Sequence, residues 1–551
     1  MKYLNYKVII ILIISIVLTS ITTQLSYQIS KQYFKNHSFF YDPVMTFSTS
    51  IPFYNRMQKE AHLNQVASRL NFAKLHFEGN PKSPIYFIPV ILFAPKLLLT
   101  PWSTLPVTAF MLCTFLFILG YSVHLRNKNL LYSITLMCLF CAAPVLLDPF
   151  WGLSSGWFDM PAGFLLSASI ISFINWHNYR KPIWLILFPV LASLAVLGRS
   201  ILSLYAVTII APLLIYSLYF CFKQNGRFLK NIIKPTFIIL LISGIVCGYY
   251  LYLHFNAIFF YYAKVVYSKT DSVIKSAGFV SNTIGIVGKK YMLFIIILFA
   301  ALFIKYLFNN KFKTINFFFY AWILLILPFF WIFILKSTGV YHVYLVEYSL
   351  LFILFLPFNF LDNNFINSKI LKNMNYIIII ISCCFILTSY YRFSFEAKHP
   401  NTSQRESKKL DITIAGFVKN LKPDQTWVAF FDEDYSRIPN CECFYRYGIY
   451  PEKYSKMNFY LHNEYWNSYY PDLSSDEIAD SICKNIDKLS LIITFNNVND
   501  IDKFKSEEDF RFARNIAKKV ATYMQTKPNW EKKLIYKTKA YSDLAFYLKK
   551  D

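Results

Sequence analysis

The sequence predicts a polytopic α-helical membrane protein with a C-terminal extracytoplasmic α/β domain, and three observations carry that expectation. Hydrophobic residues make up 56% of the 551-residue chain and charged residues only 16%, against about a quarter charged in soluble domains. About eleven apolar runs approach the roughly 20 residues that cross a bilayer. From residue 393 the polar and charged residues return, and helix-like and strand-like segments alternate. The expected division is 1–392 for the transmembrane part and 393–551 for the soluble domain.

A net charge of +25 invites a nucleic-acid partner. The distribution excludes it: Lys and Arg are scattered between apolar runs, where the positive-inside rule accounts for most of them. Five of the ten cysteines (Cys113, Cys138, Cys141, Cys383, Cys384) lie within apolar runs as small hydrophobes. None shows metal-ligand spacing. Cys441, Cys443 and Cys483 fall in the C-terminal region, where export would permit a disulfide.

The first span covers 7–27 behind Lys2 and Lys7, an uncleaved anchor with its N-terminus in the cytoplasm. Further spans are expected near 103–124, 130–148, 160–177, 182–198, 201–222, 235–255, 291–308, 315–335, 341–361 and 375–392. The basic groups Arg126/Lys128, Arg180/Lys181, Lys223 to Lys234, Lys311/Lys313 and Lys369/Lys372 then fall in alternate loops. That is the cytoplasmic pattern. The run 84–100 is short and broken by Pro84, Pro89, Pro95 and Pro101, so it reads as re-entrant or interfacial.

Residues 28–102 form the first extracytoplasmic loop. Within it Phe53, Met57, Ala61, Val66, Leu70, Ala73 and Phe77 recur at helical spacing, the pattern of an interfacial amphipathic helix. The bland alternative is a helix packed on the soluble domain. Asp42, in FFYDPVM, could accept a proton from an attacking group, or simply cap a turn, as Asp before Pro often does. Lys82, in FEGNPKSPIYF, is a cation at the membrane face, with Tyr86 and its neighbours able to bury an isoprenoid tail. An ordinary solvated lysine is the alternative.

Asp148 ends one span and Asp159 begins the next, both on the outer side. Either could cap a turn or helix; facing Asp42 they could orient an acceptor or bind a divalent cation. Arg199 interrupts LASLAVLGRSILSLY, and a charge there is costly unless it is paired, functional or snorkelling. Its guanidinium suits a phosphate. His342 and Glu347, in YHVYLVEY, open a late span, so Glu347 should face a cavity or partner rather than lipid.

In the C-terminal region a helix is expected over 404–421, strands at 426–432 and 489–496, a capped helix from Ser474, a helix over 504–525, and one or two strands over 533–549. No glycine-rich phosphate loop follows either apolar strand, so no nucleotide cofactor is assigned.

Four motifs, in order, resemble the GT-C superfamily of polyprenyl-phosphate-sugar glycosyltransferases, nearest to the protein O-mannosyltransferases and the lipid A aminoarabinose transferases. They are FFYDPVM, FEGNPKSPIYF, WFDMPAGFL and LAVLGRSILSLY. The resemblance covers 1–220 loosely and the remainder only in topology. It implies a GT-C-like membrane part and an inverting transfer of sugar from a polyprenyl-phosphate carrier to a lipid, glycan or protein acceptor at the outer face of the cytoplasmic membrane. Under it Asp42 is the base, Lys82 holds the donor phosphate, Asp159 is a second acid, and Arg199 stands where the family often has Lys. The loop lacks the paired acids of many members, and Lys-Ser-Pro replaces Lys-Pro-Pro. Two rivals remain: a surface-polysaccharide polymerase or ligase, which should carry a large late outer loop, and a non-catalytic lipid-linked sugar flippase, which should carry mid-membrane charge pairs and inverted halves.

Overall fold

The computed structural model describes residues 6–37, 54, 57, 65–79, 85–100, 102–156, 158–199, 202–225, 233–261, 285, 287–308, 349, 352, 353, 355, 369–421, 426–429, 474–484, 486–498, 511–537 and 543–550. By contact the chain divides into two compact units, one of residues 1–30, 73–90 and 104–394, the other of 31–72, 91–103 and 395–551.

The first unit is helical. α1 (Tyr6–Asn36) runs nine residues past the apolar stretch, because Gln28 to Asn36 carries no breaker and hydropathy alone does not end a helix. After the short α2 (Val66–Gly79) and α3 (Ile88–Phe93) come α4 (Leu105–Asn127), α5 (Leu130–Cys141), α6 (Asp159–Tyr179), α7 (Pro182–Gly198) and α8 (Leu202–Asn225). α9 (Lys234–Ser243) continues through a π turn at Gly244–Gly248 into α10 (Tyr249–Tyr261), and α11 (Lys289–Phe308) and α12 (Lys369–Lys398) follow. Among the described residues, four helices are long and apolar enough to cross a membrane. The expected span 130–148 is shorter than anticipated: α5 stops at Cys141, and Pro144 opens a 3-10 turn, Pro144–Leu147. The expected spans 315–335 and 341–361 lie largely outside the described residues.

Side-chain contacts fix how these helices run. α4 returns along α1, with Thr19 near Cys113 and Ile11 beside Gly120. α5 turns back on α4 through Phe115–Phe140 and Met137 against Gly120. α6 runs with α4, since Phe115 meets Phe164 and Asn175 donates to Ser122 at 2.6 Å. α7 returns along α6 through Phe173–Phe188 and Asp159–Arg199. α12 lies parallel to α1, and Tyr390 donates to Gln28 at 3.1 Å.

α1 faces its neighbours with Ser15, Thr19, Thr22, Ser26 and Ser30, all buried. Lipid gives no hydrophobic drive between helices, so small and hydroxyl-bearing residues take over the packing. Ser15 and Thr22 bond back to carbonyls one turn earlier, and Ser26 meets Ser154 at 2.8 Å. The opposite face presents Ile9, Leu12, Ile13 and Ile16 outward.

In the second unit α2 exposes Val66 and Leu70 while Ala73, in the first, is buried. Arg69 donates to the Leu92 carbonyl at 2.6 Å. The C-terminal part begins with α13 (Thr402–Lys419) and holds β1 (Thr426–Ala429), α14 (Ser475–Lys484), β2 (Leu489–Phe495), α15 (Arg511–Thr526), β3 (Trp530–Tyr536) and β4 (Leu544–Lys549). The strands form one small sheet in the order β1-β2-β4-β3, with β1 parallel to β2 and the other pairs antiparallel. α14 opens with a reciprocal cap: the Ser474 amide and hydroxyl donate to Glu477 at 2.7 and 2.8 Å, and the Glu477 amide donates back at 3.2 Å. Cys483 is a buried free thiol in the core with Ala479, Ile486 and Val520. Cys441 and Cys443 lie outside the described residues.

The carboxyl ends of α1 and α12 satisfy one another. Asn36 donates to the Ala397 carbonyl at 2.9 Å, and His37 meets the Glu396 carbonyl at 3.2 Å while stacking on Tyr33. Lys408 donates to the Phe34 and His37 carbonyls, which a helix end leaves without partners. Burial, aided by the Lys408 charge and opposed by the carbonyl contacts, holds the His37 pKa below its ordinary value. The stabilisation from neutral His37 is thus complete above about pH 6.5 and lost as the pH falls toward its folded value. Amide exchange over 395–399 should quicken between about pH 7.5 and about pH 5.5, beyond the intrinsic pH effect, and His37→Gln should abolish that excess.

Candidate functional site

Two charges from consecutive antiparallel helices meet at one end of the first unit. α6 starts at Asp159 itself, and Phe158 occupies the capping position without a side-chain cap bond. The capping alternative for Asp159 is therefore corrected. Its Oδ1 accepts from Arg199 Nε at 2.9 Å, with side-chain exposures of 3% for Asp159 and 23% for Arg199. Arg199 closes α7, where its backbone amide donates to the Ala195 carbonyl at 3.0 Å. Pairing, rather than snorkelling, meets the cost of placing a guanidinium here.

The antiparallel hairpin explains why these two residues find each other. Helices joined by the short Arg180–Lys181 turn bring the start of one beside the end of the next. Asp159 sits in the first turn of its helix and Arg199 just past the last turn of its own. Each charge therefore complements the dipole end of the helix that carries it.

Tyr86 completes the group. It is 1% exposed, and its ring lies over Gly198, where any Cβ would overlap the phenol oxygen. Phe158 packs edge-on against both Tyr86, at 5.5 Å between centroids, and Phe87, at 5.7 Å. The ring thus touches the neighbour of Asp159 on one side and the neighbour of Arg199 on the other. Burial, then the Asp159 carboxylate, pushes the phenol well above its ordinary pKa, with Arg199 opposing, so the hydroxyl keeps its proton. Two buried polar atoms here have no hydrogen-bond partner: the Tyr86 hydroxyl and Asp159 Oδ2. One is a donor and the other an acceptor.

Tyr86 was expected to bury an isoprenoid tail. Its ring packs on Gly198, with the hydroxyl beside the residue that precedes Arg199. Asp148 turns its Oδ1 onto the amides of Phe150 and Trp151, at 2.7 and 3.0 Å, which shapes the loop leading to α6. Asp42, Lys82, His342 and Glu347 lie outside the described residues. Among the described residues no three His, Cys, Asp or Glu side chains gather to hold a metal. The sequence reading missed Gly198 and Phe158. The Gly-Arg pair at a span end was the available signal, but only the incoming Tyr86 ring gives the glycine its purpose.

No protein-family model matches the chain, and no curated protein sequence does so either. A solved structure does: the crystal structure of ArnT from Cupriavidus metallidurans bound to undecaprenyl phosphate. The alignment covers 99% of this chain and 98% of that one, at a TM-score of 0.55 and 10% identity. That likeness is one of fold, and it extends over nearly the whole of this chain.

Arg199→Ala would leave a buried carboxylate without its cation, and should destabilise the protein by about 3 kcal/mol. The Asp159→Asn/Arg199→Ala double variant should lose less than the sum of the singles, read as a thermal-shift double-mutant cycle in detergent. Gly198→Ala should cost about 1–3 kcal/mol by overpacking against Tyr86, although alanine is the better helix former.

Proposed function

We propose that this chain, having the GT-C fold, is an inverting glycosyltransferase that moves a sugar from a polyprenyl-phosphate carrier to a lipid, glycan or protein acceptor. The observation that carries this reading is the Asp159–Arg199 pair at the helix ends, within a fold shared with an enzyme bound to undecaprenyl phosphate. The setting proposed is the outer face of the cytoplasmic membrane, with a multi-pass domain of about eleven spans over 1–392 and an extracytoplasmic α/β domain over 393–551.

The chemistry needs one base and one or two cations. An acceptor hydroxyl or amine attacks the anomeric carbon, and its proton passes to the Asp42 carboxylate. The bond from the anomeric carbon to the phosphate oxygen breaks, and its electron pair leaves with the carrier phosphate. Lys82 and Arg199 stabilise that developing charge. The Arg199 guanidinium is bound to Asp159 through Nε, which fixes its plane. The planar donor fork of a guanidinium suits a phosphate. His342 and Glu347 are assigned to substrate contact, and Asp148 to shaping the loop beside it.

The flippase alternative expects charge pairs at mid-membrane. The pair described here joins the first turn of α6 to the residue ending α7, which is an end-of-helix position. That placement favours chemistry at a surface over passage through one.

Asp42→Asn should lower transfer of sugar from an undecaprenyl-phosphate donor by about 100-fold or more while the protein keeps its thermal-shift midpoint. Lys82→Ala should chiefly raise the KM for donor. Undiminished transfer by the Asp42→Asn protein would remove the proposed base.

A further inference from the structure

We propose that the Tyr86 hydroxyl and Asp159 Oδ2 form a subsite for a single ligand hydroxyl group, which accepts a hydrogen bond from the tyrosine and donates one to the carboxylate. The inference rests on the transferase reading and deepens it: it names the part of the substrate that this corner of the site reads.

The argument starts from the two atoms without partners. A buried polar atom left unbonded costs about 1–3 kcal/mol, so two together in an otherwise well-packed corner need a reason. Tyr86 and Asp159 are 1% and 2% exposed, and neither the phenol oxygen nor Oδ2 has a hydrogen-bond partner. Their surroundings hold them in place. Gly198 leaves room for the phenol end of the ring, Phe158 packs on its edge, and the Nε of Arg199 fixes the other carboxylate oxygen at 2.9 Å. Neither group can easily swing away to find water.

The chemical identity of the missing partner follows from the pair. A phosphate offers only acceptors, so it could satisfy Tyr86 but would be repelled by the carboxylate. An ammonium offers only donors and would leave the Tyr86 phenol hydrogen without an acceptor. A hydroxyl does both at once. Arg199, 23% exposed, is the open side of the corner. A carrier phosphate beside Arg199 would bring the attached sugar's ring hydroxyls toward Asp159 and Tyr86. The hydroxyl thus belongs either to the transferred sugar or to the acceptor, and the two sources are separable by experiment.

The test uses the full-length protein in detergent, wild type and Tyr86→Phe, with thermal midpoints measured on both. Binding is measured for undecaprenyl phosphate alone, for undecaprenyl-phosphate glucose, and for its analogues deoxygenated singly around the ring. The expected result is that Tyr86→Phe binds the glycoside about 10-fold more weakly, with bare undecaprenyl phosphate affected less than about twofold. One deoxy analogue should bind the wild type weakly and the two proteins equally. A second arm follows transfer to a crude envelope lipid extract. Unchanged donor binding with an acceptor KM raised about 10-fold in Tyr86→Phe would assign the hydroxyl to the acceptor and still support the subsite. Equal loss for carrier with and without sugar, or no effect in either arm, would overturn it and leave the carrier reading standing. Failure of the wild type to bind undecaprenyl phosphate would overturn that reading and this inference with it.

Discussion

The ion pair between Asp159 and Arg199 is the constraint around which the described half of the bundle closes. It ties the start of α6 to the end of α7, and those helices pack along their lengths through Phe173 and Phe188. The interaction is matched to the helices as well as to itself, with the acid at an amino end and the cation at a carboxyl end. A buried pair of this kind contributes modestly to net stability, because desolvation takes back much of the attraction. What it fixes is arrangement. A carboxylate and a guanidinium that must meet leave one register for the hairpin, and Tyr86 over Gly198 fills the remaining space beside it.

Around this corner the bundle is assembled with little help from hydrophobicity. The hydroxyl-bearing stripe of α1 carries it past α4, α5 and the Ser154 loop with short side chains and bonds returned to its own backbone. The end of α1 then meets the end of α12, where Asn36, His37 and Lys408 take up carbonyls that both helices leave over. The first and last helices of the first unit's described residues are thereby joined in parallel.

Much of this was legible in the sequence, in proportion to how local its cause is. Apolar runs located most of the described helices. The capping pattern at Ser474 marked the start of α14, and the return of polar residues marked where the sheet would lie. Failures came where a boundary depended on something other than hydropathy. α1 ran on through a polar stretch that lacks a helix breaker, and α5 ended early because Pro144 follows closely. Asp159 and Arg199 were each visible as charges at span ends, and the hairpin put them on one side. Their pairing was not legible, since it depends on the rotation of each helix about its axis. Nor was the role of Tyr86, whose neighbours in space, Phe158 and Gly198, are remote in sequence.

The same corner bears on why an arginine stands at 199. A lysine there would offer a compact, strongly hydrated charge, and binding Asp159 would use that charge directly. A guanidinium spreads its charge over a plane, so one edge can be held by the carboxylate at 2.9 Å while the plane remains oriented by that same contact. Stabilising a departing phosphate depends on donors already aimed where charge will develop, because reorientation during the reaction would cost part of the gain. Asp159 is then both the partner that permits a cation at a helix end in an apolar region and the group that sets the cation's orientation. Under the proposed reading, the residue that ties the hairpin and the residue that aligns the cation are the same residue.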